Sequence, residues 1–224
     1  MSLSRVYAGI ALAAGLWAFI FRSRKGSFWA RMALGAGTLA AYSIANTNEL
    51  RRSRTGDLFR GGDLQSPAPP PIKPSDPIVG ILSAAGLWLI FQIGDRLARR
   101  ILPAGENEIE AIYALRGEAP RPIIAALLLT IVAPGEELFW QGMVQRAFMG
   151  KWGRVRGTAA TVGAYGAVHI LTGNLTLAAA ATTAGAYWGT EYAVEGRLAP
   201  TLISHVIWDI WIFLIAPTET GKDR

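Results

Sequence analysis

The chain of 224 residues contains no cysteine, which excludes a disulfide framework, a thiol nucleophile and a cysteine-ligated zinc. Histidine is nearly as scarce, with two in all, and only 17% of the residues are charged. The few charges are bunched. Residues 6–21, 32–48, 77–94 and 157–190 contain no Asp, Glu, Lys or Arg at all. Such blocks argue against a soluble fold of amphipathic faces, whereas a bilayer core of about 30 Å asks for roughly 20 apolar helical residues per crossing. No small-x-small cleavage signature follows the first block, so it reads as a retained span and not a removed signal.

What is present is a 51% hydrophobic chain with a net charge of +6. The basic residues flank the apolar blocks, as in Arg22, Arg24, Lys25 and Arg31, or Arg96, Arg99 and Arg100. That pattern anchors helix ends at lipid headgroups and speaks against a nucleic-acid partner. The expectation is an all-α, polytopic membrane helix bundle of about seven transmembrane helices, an integral multi-pass protein of a prokaryotic plasma (inner) membrane.

Taken in order, residues 1–45 read as two scaffold helices, 46–76 as an extended Pro- and Arg-rich linker, 77–216 as the membrane core and 217–224 as a polar tail. The core should hold a third span at 78–94, a short interfacial helix with Glu106, Glu108 and Glu110 on its polar side, and a fourth span running from 122 to about 148. Residues 157–171, 175–192 and 199–216 complete the count, with Thr172-Gly173-Asn174 as a turn.

The fourth span interrupts its apolar run with Glu136 and Glu137. One carboxylate at membrane-centre depth costs about 3 kcal/mol on insertion scales, so two side by side mark a place of use. Both histidines, His169 and His205, also lie in otherwise uncharged helix, and Asp209 follows His205 by four. Tyr165 and His169, Glu137 and Gln141, and His205 and Asp209 are all i, i+4 pairs, so each pair occupies one helix face and three faces can converge inside a bundle. The bland alternative is a hydrogen-bonded packing network without a reaction.

These residues resemble the CAAX prenyl protease and bacteriocin-processing intramembrane proteases, which include the type II CAAX prenyl endopeptidases. The family pattern is EExxxR, then FxxxH, then HxxxN or HxxxD. This chain carries Glu136-Glu137 with Gln141 in place of the arginine, Tyr165 in place of the phenylalanine followed by the matching His169, and His205 with Asp209. The resemblance spans about residues 123–213 and does not reach the first hundred. The missing arginine leaves three readings of Glu137 open: protonated, paired with Arg146, or part of an enzyme of altered activity.

The resemblance implies hydrolysis of a peptide bond in a membrane-embedded or lipid-modified substrate by an activated water, without a cofactor. Glu136 would be the general base, His169 would share the water or protonate the leaving amine, and His205 with Asp209 would bind the oxyanion. Glu137, Gln141 and Tyr165 would support them. A zinc held by Glu136, His169 and His205 is the metal-based version, although no HExxH motif is present. Outside this class stand a catalytically silent membrane-assembly, partner-binding or immunity protein that docks through small-residue faces around Gly185 and Gly189, and a proton-coupled transporter, for which no internal repeat is visible. Membrane lipids, a membrane-embedded peptide or protein substrate and a membrane-protein partner are the partners these readings bring in.

Overall fold

The computed structural model describes residues 2–46, 72–102 and 104–217. Most of the expected linker and tail, together with Arg51, Arg52 and Arg54, lie outside the described residues. Among the described residues there are eight helices: α1 (Leu3–Arg22), α2 (Phe28–Asn46), α3 (Asp76–Ile101), α4 (Gly105–Ala114), α5 (Arg121–Trp152), α6 (Arg154–Ile170), α7 (Leu175–Glu195) and α8 (Leu198–Ile215). The fold is all-helical, as the uncharged blocks predict.

Four of these helices, α1, α3, α5 and α8, are by length and composition able to cross a membrane. The expected count of seven rests on α2, α6 and α7 crossing as members of the bundle. α6 has only 17 residues, and α7 mixes its alanines with Thr182, Thr183, Thr190 and Glu191. α3 runs about two turns past the expected boundary, because Arg96 to Arg100 continue the helix and Arg99 bonds Asp95 one turn back at 3.0 Å.

Turn chemistry sets the helix ends. Gly173 takes φ 79° between α6 and α7, a conformation that side chains disfavour. Asn174 then caps α7 by accepting the Leu177 N–H at 2.7 Å. The caps of two helices come from elsewhere in the chain. Glu108 of α4 accepts from the Leu175 and Thr176 N–H groups and from the Thr176 hydroxyl, and Glu118 accepts from the Phe28 N–H at the start of α2. A carboxylate at a helix N-terminus meets unpaired N–H groups and the positive end of the helix dipole. Those interactions hold Glu108 below the usual carboxylate range, the Thr176 hydroxyl contributing most.

α5 is the central element. Its register widens to π turns at Leu128–Val132 and Trp140–Gln145. Pro134 has no N–H to return to the Thr130 carbonyl, which accounts for the first of these. Gly135 lies so close to α2 that a Cβ would overlap the Ala36 carbonyl. Apolar burial gives little net drive between helices in lipid, so such close contacts and internal hydrogen bonds hold the bundle. Gln145, fully buried, donates to the Gly189 carbonyl at 2.6 Å and to Thr158 Oγ1 at 3.0 Å, which cross-links α5, α6 and α7. At one end, buried Arg197 binds Asp76 Oδ1 at 2.7 Å and fastens the start of α3 to the α7–α8 turn.

Candidate active site

The carboxylates and imidazoles singled out by sequence come together. Glu136 from α5, His169 from α6, and His205 and Asp209 from α8 all line one cavity of about 360 Å³. α1, α2, α3, α4 and α7 also contribute to its wall, which is largely aromatic and aliphatic, with Phe21, Trp29, Phe91, Trp208 and Phe213 prominent. Glu136, His169 and His205 are 5%, 5% and 4% exposed, so the polar groups sit at the inner end of an apolar chamber.

The hydroxyl by which Tyr165 differs from phenylalanine donates to Glu136 Oε2 at 2.9 Å. Among the described residues no protein donor reaches Glu136 Oε1, which leaves that oxygen for a water. Tyr165 is itself wedged edge-on to Trp140 and against Gly185, where a Cβ would come within 2.7 Å of the ring.

His205 lies between two acids. Its Nδ1 is 2.9 Å from Glu137 Oε1, and its Nε2 is 3.6 Å from Asp209 Oδ2. The second distance is too long for a direct hydrogen bond, and both His205 and Asp209 line the cavity. Trp188 stacks on the ring at 3.8 Å and 23°, while its indole N–H donates to Ser204. The partner of Glu137 is therefore His205, not the Arg146 that the missing arginine at position 141 suggested. Gln141 is buried at 4% and does not line the cavity.

His169 differs most from its expected role. Its Nε2 lies 3.0 Å from the Trp17 indole nitrogen, and its Nδ1 lies 2.9 Å from the Tyr165 carbonyl oxygen. Both ring nitrogens are thus engaged by protein groups, and neither is open to a shared water. The same geometry bears on zinc. Glu136, His169 and His205 do not offer three free lone pairs to one point, and among the described residues no group of three or more His, Asp or Glu is placed to hold a metal ion. As they stand, these residues do not fit that ion.

Trp17 and Trp188, the two indoles on the histidines, were missed from sequence. Tryptophan in an uncharged helix looks like packing, and the signal that distinguishes it is the buried N–H that must find an acceptor.

A largely apolar chamber with buried acid and imidazole groups, walled in part by helices able to cross a membrane, defines a membrane protein with an acid–imidazole site. Residues 119–211 match the family described as Type II CAAX prenyl endopeptidase Rce1-like, so this core is similar to the CAAX-protease-like membrane proteins. The family's function is of intramembrane-protease type. The match covers less than half of the chain, leaving α1 to α4 outside it. No curated protein and no solved structure matches the chain.

Proposed function

We propose that this protein is a multi-pass intramembrane endopeptidase of a plasma membrane, hydrolysing a peptide bond in a membrane-embedded or lipid-modified substrate with Glu136 activating the water. The observation that carries this is the convergence of Glu136, His205 and Asp209 on one largely apolar cavity. In this reading Glu136 Oε1 removes a proton from water as the oxygen attacks the peptide carbonyl. His205 Nε2–H and the Asp209 carboxyl group stand on the oxyanion side. His205 can present that N–H in two proton arrangements, as an imidazolium donating to the Glu137 carboxylate or as a neutral ring accepting from protonated Glu137. Glu136 then passes its proton to the amide nitrogen, the C–N bond breaks, and a carboxylic acid and an amine leave.

The mechanism needs no metal, in keeping with the engaged nitrogens of His169. The silent-assembly reading loses its docking faces, because Gly185 packs on Tyr165 and Gly189 on Gln145 inside the bundle. Purified protein in lipid vesicles is expected to cleave a lipid-modified peptide reporter. Glu136→Ala should lower the rate by about 10²-fold or more with helical content unchanged. Equal rates for the two proteins would eliminate the proteolytic reading.

A further inference from the structure

Trp17 lies in α1, outside the residues that match the family, and is fully buried. An indole can only donate, so the 3.0 Å contact requires a lone pair on His169 Nε2. The ring proton is then on Nδ1, which donates to the Tyr165 carbonyl at 2.9 Å. An imidazolium is excluded in this arrangement, since an Nε2–H would face the indole N–H. His169 packs against the Tyr165 ring with centroids 4.3 Å apart, and the Tyr165 hydroxyl holds Glu136 Oε2. A second bond, from Arg22 Nε to the Leu171 carbonyl at 2.8 Å, fastens the end of α1 to the residue that follows α6.

We infer that Trp17 is a positioning residue. It completes a relay from Trp17 through His169 and Tyr165 to Glu136, fixes His169 as the Nδ1–H tautomer with Nε2 withheld from the cavity, and so keeps Glu136 aimed at its water. His169 is then an orienting group and not a proton carrier, and α1 is part of the active site. The kinetic consequence rests on the proteolytic reading above; the tautomer does not.

The test uses the full chain labelled with ¹⁵N-histidine in lipid nanodiscs. With two histidines in the sequence, His205→Gln assigns both rings. Wild-type His169 should show a protonated Nδ1 and an unprotonated Nε2 shifted upfield by its hydrogen bond. In Trp17→Phe that Nε2 should move downfield to the value of an unbonded lone pair. The kcat for reporter cleavage should fall about 10- to 100-fold while KM changes by less than about twofold. Should Trp17→Phe not fold, benzothienylalanine at position 17 keeps the ring shape and removes only the N–H.

An Nε2–H tautomer in the wild type, or an Nε2 resonance that neither variant moves, would overturn the inference. A shifted resonance with wild-type kcat would also overturn it, because Trp17 would then touch His169 without positioning anything. If the wild type cleaves no reporter, the proteolytic reading fails and the spectrum alone decides whether Trp17 holds His169.

Discussion

Glu137 shows how a buried carboxyl group can be held by a different partner when the expected one is missing. Gln141 stands where the resembling family carries arginine, and the carboxylate it would have served is bonded instead to His205 Nδ1 at 2.9 Å, with both groups buried. The chain thus links its second glutamate directly to the ring expected to meet the oxyanion. Removing Glu137 leaves a buried imidazole nitrogen without its hydrogen-bond partner, which costs about 1–3 kcal/mol, and frees the ring to rotate on Trp188. Glu137→Ala is therefore expected to lower the detergent unfolding midpoint by several degrees and to slow reporter cleavage about 10²-fold. Thermal unfolding and single-turnover rates check the two parts. A variant as active as the wild type would show that His205 needs no partner.

At the scale of the element, α4 is a latch across the chamber. Ile109, Ile112 and Tyr113 face the cavity, and Glu108 clasps the start of α7. Because the folded state holds the Glu108 carboxyl below its ordinary 4.5, the clasp contributes its full stability above that value and loses it as pH falls through the lower folded value. Glu108→Gln should cost roughly 1 kcal/mol at neutral pH. It should also lose less stability than the wild type between pH 7 and pH 3, measured as unfolding midpoints; identical pH dependence would remove Glu108 as a latch. Much at this scale was legible in sequence. Helix order followed from the uncharged blocks, the turn at Gly173 from its residues, and the convergence of Glu136, His169 and His205 from four-residue spacing. The two π turns of α5 and the length of α3 were not legible. The first depend on what Pro134 and neighbouring helices impose, and the second on Arg96, Arg99 and Arg100 extending a helix that the apolar pattern alone would end. Trp17 on His169 was invisible for a related reason, since a contact between residues 152 positions apart leaves no local trace.

For the molecule as a whole, the decisive feature is that the family-matched segment does not enclose its own site. Val6, Trp17 and Ile20 of α1 and Trp29, Ala36 and Leu39 of α2 share one buried cluster with Val132, Phe139, Trp140, Met143 and Tyr165. Two close approaches, Gly135 on Ala36 and Gly9 on Phe139 and Tyr42, cross between the N-terminal helices and α5 or between each other. Stripping α1 and α2 away would open that face of α5 and remove the relay that ends on Glu136. A chain of residues 61–224 alone should therefore give aggregated, protease-sensitive protein without cleavage activity. Breaking the covalent connection is a different matter, because the polar, Pro-rich stretch between α2 and α3 has the composition of a linker that tolerates cuts. Residues 1–60 and 61–224 expressed together, with a tag on the shorter piece, are expected to co-purify at equal stoichiometry and to unfold within a few degrees of the intact chain. A lone 61–224 piece that is as stable and as active as the intact protein would show that α1 and α2 are accessory, and the site would then have to be understood from α3 to α8 alone.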